Sequence, residues 1–201
     1  MSVMKLEPSS EPSPEAHARR ALRARLKAER SAFAASPLAA ERGLLLASAL
    51  REALLPLEPQ CLGLYCALTS EFNAAPAIVA DAGFDKCVLA LPYARRTPRT
   101  MTFRRWDRAE PTAADECGIP TCEGALVVPD VVVVPCVGYT AAGYRLGFGG
   151  GYYDRWLAAH SHVVAAGVAW SFAEVDATTF AAQPHDIALA FIVTEHGVVS
   201  A

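Results

Sequence analysis

Four consecutive valines, at positions 131–134, constrain the fold of this 201-residue chain more than any other feature. A strand with no polar residue on either face has to be covered on both, as a strand inside a parallel sheet is when helices lie above and below it. Four further runs share this character: CLGLYC at 61–66, CVLAL at 87–91, and the stretches at 163–169 and 187–193. Segments of helical period separate them, which predicts an α/β fold. The expected architecture is a single-domain three-layer sandwich with a largely parallel central sheet flanked by helices. No internal repeat and no second apolar core is visible, so residues 13–201 are expected to form one domain. A disordered leader rich in Ser, Pro and Glu is expected at 1–12.

Helix signals are clear near the N-terminus. Ser13 can cap a helix, Pro14 fits its first turn, and Glu15 suits the positive end of its dipole. Ala18, Leu22, Leu26, Glu29 and Phe33 recur at helical spacing, while Arg19, Arg20, Arg23, Arg25, Lys27 and Arg30 make the rest basic. Ser36-Pro37 repeats the start signal and predicts a second helix to about Leu55. A short helix is expected from about Asn73 to Ala82, closed by Gly83. Residues 101–106 read as an edge strand carrying Arg104 and Arg105, followed by a polar loop to about Gly124.

Hydrophobic residues make up 53% of the chain and charged residues 19%, enough apolar surface for a substantial core. The formal net charge is −3, so any anion site has to be local. The longest apolar stretch, 125–137, is broken by Pro129-Asp130 and Pro135 and is shorter than the roughly 20 residues that span a bilayer. The first fourteen residues are polar and lack a signal-peptide pattern. A soluble, cytoplasmic protein without a membrane partner is expected. The six cysteines show neither a CxxC nor a zinc-like Cys/His spacing. Cys61, Cys66, Cys87 and Cys136 lie in or beside apolar runs and read as reduced structural thiols.

After the valines come Gly138, Gly143, Gly147, Gly149, Gly150 and Gly151, and then YYDRWL restarts an amphipathic helix. A strand, an irregular turn and a helix N-terminus place outward N–H groups and a positive dipole end where an anion can sit. Glycine also lets a phosphate chain approach the backbone. Neither common phosphate loop is present. There is no G-x-x-x-x-G-K-[ST], and GFGGGY at 147–152 lacks the last glycine of G-x-G-x-x-G. It also begins about a dozen residues after its strand. Alone, the glycine cluster reads equally well as a surface connection. Arg145 adds a permanent cation that can fork onto phosphate oxygens. Tyr152 and Tyr153 add flat surfaces and hydroxyls, and Asp154 a hard oxygen ligand suited to Mg²⁺ shared with a nucleotide.

The segment RLGFGGGYYD at 145–154 resembles the signature of the 5-formyltetrahydrofolate cyclo-ligases, roughly R-L-G-x-G-x-G-Y-Y-D. The likeness runs from about Arg19 through LPYARRTPRTMTFRRW, the later CGIP, PDVVVVPCVGYTAAGYR and HDIALAFIVTE, in that order. It implies an α/β sandwich and the ATP- and Mg²⁺-dependent conversion of 5-formyltetrahydrofolate to 5,10-methenyltetrahydrofolate, with ADP and phosphate released. In that family ATP phosphorylates the formyl oxygen, the folate's N10 closes on the activated carbon, and phosphate leaves. Such chemistry needs positioning and charge neutralisation more than a protein nucleophile.

Carried over position by position, the resemblance implies that Arg145 is catalytic. It implies that ATP is bound by Arg145, Leu146, Gly147, Phe148, Gly149, Gly150, Gly151, Tyr152 and Tyr153, together with Arg19, Arg20, Ala21, Leu22 and Arg23. Phe148, Gly149, Gly150, Gly151 and Tyr152 would also line the folate side with Cys66 and Glu71, and Asp154 and Asp186 would hold the metal. The chain departs from the family at two cations. Arg19 stands at the lysine of a K-x-x-x-R pair, and Gly150 where some relatives carry lysine.

Each assignment has a plainer counterpart. Asp154 can serve only its helix dipole, Asp186 a turn, Glu71 a helix start beside Asn73, and Cys66 the core. His185 reads as structural, and Arg20, Arg25, Lys27 and Arg30 as a solvated face. A competing reading makes the chain a nucleic-acid-binding module built on the basic helix and Arg104-Arg105. The net charge of −3 and the lack of RNA-binding motifs disfavour it. The cyclo-ligase reading expects a monomer with small-molecule partners only, ATP and 5-formyltetrahydrofolate, and no nucleic acid. It also expects Arg145→Ala to remove most turnover while folding survives, because a loop cation adds little to a core.

Overall fold

The computed structural model describes residues 13–200, so the leader expected at 1–12 lies outside the described residues. Helix α1 (Pro14–Ala34) starts where the sequence predicts, with the Ser13 hydroxyl accepting the Ala16 amide at 3.2 Å. Helix α2 (Leu38–Leu54) follows. Here the second start signal works differently: Ser36 contributes its carbonyl, to the Ala39 amide at 3.2 Å, while its buried hydroxyl has no partner among the described residues.

The chain continues through β1 (Cys61–Gly63), α3 (Ala75–Val79), β2 (Val88–Arg95), β3 (Thr100–Trp106), β4 (Ala113–Ala114), β5 (Pro120–Thr121) and β6 (Leu126–Val127). Then come β7 (Val131–Pro135), β8 (Gly138–Tyr139), β9 (Arg145–Leu146), α4 (Tyr152–Ala159), β10 (Val164–Val168), β11 (Phe191–Thr194) and β12 (Gly197–Ser200). Eight strands form one sheet in the order β12-β11-β10-β7-β1-β2-β3-β6. From β11 to β2 all neighbours are parallel; β12, β3 and β6 add antiparallel margins. The fold is the expected α/β sandwich with a largely parallel sheet.

The valine strand does what its composition demands. Val131 and Val133 face a cluster formed by Leu46, Leu50 and Leu54 of α2, Ile78 of α3, and Leu62, Leu89 and Val193 of the sheet. Val132 and Val134 face the opposite cluster, with Trp156 and Leu157 of α4, Phe103, Ala165 and Ile192. Burying each such Leu, Val or Phe side chain is worth about 1.5–3 kcal/mol, so these two layers dominate the stability. Helix α1 is joined mainly by a third cluster, in which Leu22 and Leu26 meet Val137, Leu146, Val175 and Phe180, while its Phe33 packs on Trp170 of the first.

The strand predictions need three corrections. The run at 61–66 is a strand only to Gly63, because Tyr65 and Cys66 leave the ladder to wall a cleft. The last parallel strand starts at Phe191 rather than Ile187. The Ile187 amide and carbonyl bond to Asp154 and Arg145, and the Leu189 amide to the Gly143 carbonyl. Residues 101–106 are not an edge, since β6 pairs outside them at Phe103↔Val127 and Arg104↔Leu126. All six cysteines are free thiols, and burial pushes that of Cys136 up to about 12. Among the described residues no helix is long and apolar enough to cross a membrane.

Candidate active site

The carboxyl ends of β1, β2 and β7 open into a cleft of about 490 Å³, where open parallel sheets place their ligands. Tyr65, Cys66, Leu68 and Glu71 enter it from the turn after β1, Pro92 and Ala94 from β2, and Pro135 from β7. Arg19 and Arg23 approach from α1, and Arg145 with 146–154 completes the lining beside them.

The glycine loop is a tight backbone ribbon leading into α4. Gly149 and Gly151 adopt φ of +93° and +62°, the left-handed region in which a Cβ is strained. A Cβ at Gly149 would also sit 3.3 Å from the Arg23 guanidinium. Three arginine and lysine contacts pin the loop. Arg23 donates through Nε to the Gly147 carbonyl at 2.6 Å, Arg155 donates to that of Gly150 at 2.7 Å, and the Phe148 ring lies 5.1 Å from the Lys27 ammonium. Beyond the loop the Tyr152 hydroxyl donates to the Arg95 carbonyl at 3.1 Å and lies 3.2 Å from the Cys117 sulfur.

Two ion pairs join the candidate phosphate cations to the candidate metal carboxylates. Arg145 lies 2.9 Å from Asp154 and donates to the Ile187 carbonyl at 3.1 Å. Its side chain is 3% exposed, so it is a buried residue of β9 and not the loop cation the sequence suggested. Arg19 forks onto Asp186 at 2.6 and 3.4 Å and lies over the Phe180 ring. Burial pushes the Asp186 carboxyl up, but bonds from Arg19 and the Gln183 amide outweigh it and hold the group below the usual carboxylate range. The two acids are neighbours through the backbone, because Asp154 Oδ1 accepts the amide of Ile187 at 3.2 Å. Arg23 forms no ion pair among the described residues; burial, then the nearby Arg19 charge, lowers its pKa from the ordinary arginine value. An uncompensated cation of this kind favours an anionic ligand.

Also in the lining, Glu71 accepts the Leu68 amide at 2.7 Å and faces Arg30 at 3.4 Å. Burial raises its pKa above the ordinary value, opposed by the Leu68 bond and by Arg30. Arg30 corrects the sequence reading: it is 5% exposed and belongs to the interior, not to a solvated face. Tyr65 donates its hydroxyl to the Phe72 carbonyl, and the buried Tyr153 hydroxyl has no partner among the described residues.

Of the residues singled out from sequence, Arg19, Arg23, Cys66, Glu71, Arg145, Asp154, Asp186 and the whole of 146–153 line this one cleft. Arg20 and Ala21 do not; both are exposed, and Leu22 is buried in the apolar seam beneath α1. A helix of about 3.6 residues per turn cannot turn five successive residues to one side. Sequence reasoning missed Tyr65, Pro92, Met101, Asp115, Cys117 and Ile119 as lining residues. The LPYARRTPRTMTFRRW and CGIP segments contain four of them, so that stretch was a usable signal.

The chain is similar to known proteins in sequence and in fold. The profile of the 5-formyltetrahydrofolate cyclo-ligase family matches residues 15–195. A 5-formyltetrahydrofolate cyclo-ligase from Mycoplasma pneumoniae is 40% identical over 67 residues, 33% of this chain and 39% of that protein. The structure of a 5,10-methenyltetrahydrofolate synthetase from Aquifex aeolicus aligns with a TM-score of 0.71 at 26% identity, covering 90% of this chain and 92% of that one. One from Mycoplasma pneumoniae aligns with a TM-score of 0.68 at 24% identity, covering 87% and 97%, and shares the fold. With a match that spans both the glycine loop and the arginine helix, the chain belongs to the 5-formyltetrahydrofolate cyclo-ligase family.

Proposed function

We propose that the cleft converts 5-formyltetrahydrofolate to 5,10-methenyltetrahydrofolate at the expense of ATP. The observation that carries the reading is the mixed lining of one cleft of about 490 Å³. Arg19, Arg23, Arg145 and a glycine loop line it together with the carboxyl of Glu71, whose partner Arg30 lies 5.5 Å from the Phe148 ring of that loop. A nucleotide's phosphates and a folate ring need those two environments side by side. The volume lies within the roughly 300–1,000 Å³ of small-molecule sites.

At the phosphate end, the backbone of 147–151 and the start of α4 offer N–H groups, and Arg23 offers a cation without a carboxylate partner among the described residues. Arg145 is preorganised by Asp154 and the Ile187 carbonyl, so it can meet charge developing on a transferred phosphoryl group without reorganising. Asp154 and Asp186 fit Mg²⁺: both are hard oxygen donors joined through one amide. The described residues hold no cluster of three or more ligating side chains, which suits an ion that takes one or two carboxylates and completes its shell with phosphate and water. When bound, Mg²⁺ supplies neutralisation of the phosphate oxygens.

In the proposed reaction the formyl oxygen attacks the terminal phosphorus of ATP and ADP departs. The folate N10 then attacks the formyl carbon, the carbon–oxygen bond breaks with phosphate leaving, and the N10 proton passes to solvent. Two small-molecule substrates suffice, with neither nucleic acid nor membrane. The alternative of nucleic-acid binding through α1 is weakened because Arg19, Arg23 and Arg30 are committed to contacts inside the fold. Purified protein with ATP, Mg²⁺ and 5-formyltetrahydrofolate should develop the near-ultraviolet absorbance of the methenyl product and form ADP in equal amount. Folded protein that shows neither overturns the proposal.

A further inference from the structure

Arg30 is an unusual residue for its helix. It is 5% exposed on a helix whose other buried residues are Leu22 and Leu26. Taking a guanidinium out of water is costly unless its partners repay it; its hydrogen-bond partners lie in one turn after β1, and the Phe148 ring of the glycine loop lies 5.5 Å from it. Arg30 donates to the Ser70 hydroxyl at 3.3 Å through Nε and to Glu71 at 3.4 Å through Nη1. That turn is closed on itself, with the Glu71 amide on the Leu68 carbonyl at 2.9 Å and the Leu68 amide on Glu71 Oε2 at 2.7 Å. Ser70, in its middle, has φ of +66°. A non-glycine residue in that region persists only where its surroundings hold it, and here Arg30 grips Ser70 and Glu71 together.

We propose that Arg30 is a positioning residue that keeps Glu71 ionised and aimed into the cleft, where the carboxylate accepts hydrogen bonds from the donor edge of the folate ring. The inference rests on the cyclo-ligase reading, which gives Glu71 its substrate. One Glu71 oxygen is fixed by its own turn and the other by Arg30, and each keeps a lone pair for a ligand. Only the ionised carboxylate accepts at both oxygens. Burial favours the protonated form and leaves the pKa above its ordinary value; the Leu68 amide, then the charge and hydrogen bond of Arg30, then Lys27, oppose it. The other titratable groups facing Glu71 are Tyr65, Tyr153 and Cys136, whose acid forms burial stabilises, so they supply no compensating charge.

The test is steady-state kinetics of Arg30→Met, Arg30→Lys and Glu71→Gln between about pH 6 and 9. In Arg30→Met the KM for 5-formyltetrahydrofolate should rise about tenfold or more near pH 7, with the KM for ATP within about twofold. Glu71, left buried with only the Leu68 amide and Lys27 to oppose burial, should have its pKa raised further, so the folate KM should fall again as pH rises. The Arg30→Met/Glu71→Gln double variant should lose that dependence. Arg30→Lys keeps the charge without the fork, so its folate KM should rise with a flat pH profile.

A merely structural ion pair would lower Tm and kcat and leave the folate KM and its pH profile alone; that outcome overturns the inference. If Arg30→Met does not fold, Arg30→Lys decides, and an unchanged folate KM overturns it. If the unsubstituted protein forms no methenyl product, the cyclo-ligase reading fails separately. The Glu71 carboxyl resonance, identified by its loss in Glu71→Gln, then tests the role of Arg30 directly. Its titration midpoint should move up in Arg30→Met, and an unmoved midpoint overturns the inference.

Discussion

Arg145→Ala should damage the fold as well as the chemistry, against the expectation drawn from sequence. The side chain is 3% exposed and makes two strong contacts, to Asp154 at 2.9 Å and to the Ile187 carbonyl at 3.1 Å. Truncation leaves the carbonyl without its donor, which costs about 1–3 kcal/mol. Asp154 suffers less. Its side chain is 20% exposed, and it keeps the Ile187 amide at 3.2 Å, so water can replace part of the lost partner. That loss is about 1 kcal/mol, the upper range for an accessible pair. The sum, about 2–4 kcal/mol, corresponds to a Tm lower by roughly 4–16 °C for a chain of this size. Calorimetry without substrates measures it, and Asp154→Asn with the double variant should show a coupling of about 1 kcal/mol or more. Turnover, assayed well below the variant's Tm, should fall about a hundredfold or more if Arg145 acts on the transferred phosphoryl group. A Tm within about 2 °C of the unsubstituted protein would refute the argument, since it would mean the guanidinium is solvated and its two contacts count for nothing.

Arg23→Ala should raise the KM for ATP about tenfold with little change in Tm, because its contact is a loop carbonyl, while Arg20→Ala, exposed and outside the cleft, should change neither. Steady-state kinetics of the pair separates the two arginines that sequence treated alike. Leu26→Ala, at a residue 1% exposed, should lower stability by about 2–5 kcal/mol and raise the KM for both substrates, unlike any single arginine variant. For Glu195, burial pushes the carboxyl up, but bonds from the Ser171 hydroxyl and amide outweigh it and leave its pKa below the ordinary value. Its stabilisation is therefore present above the unfolded value and lost as pH falls through the folded one. Tm should drop between about pH 5 and 3, and less steeply in Glu195→Gln, as thermal melts across that range would show.

The sheet was legible because four valines in succession admit few environments, and the glycine loop because its mixture of cation, acid and tyrosines is hard to explain as a connection. The strand ends were not, because hydrophobic period says nothing about where a backbone leaves its ladder to serve a site. Ile187 is apolar like its neighbours, yet both its polar groups are committed to Arg145 and Asp154. Arg30 was hidden for a related reason. Its spacing, four residues after Leu26, put it on the inward face, but nothing local named the acid that would receive it, because its partner Glu71 is remote in sequence. Arg20, Ala21 and Leu22 differ in the opposite direction: carried over as part of a contiguous stretch, they do not line the cleft, to which the helix turns Arg19 and Arg23.

Helix α1 contributes Arg19, Arg23 and Arg30 and touches the main apolar layers only at its C-terminal end, where Phe33 packs on Trp170 at 4.6 Å. It is seated by Leu22 and Leu26 on Val137, Leu146, Val175 and Phe180. Two of those seats adjoin site residues: Leu146 follows Arg145 in the chain, and Phe180 lies under the Arg19 guanidinium. At about 1.5 Å per residue, the span from Arg19 to Arg30 is roughly 16 Å, long enough to reach from Asp186 to Glu71 along one side of the cleft. The three cations are thus fixed on one rigid element, and a displacement of that element moves all of them against their partners together. Local changes to an arginine should affect one substrate, whereas loosening the apolar seat should affect both. That difference follows from placing the charges on a helix whose own attachment is small, and it makes the packing under α1 part of the site.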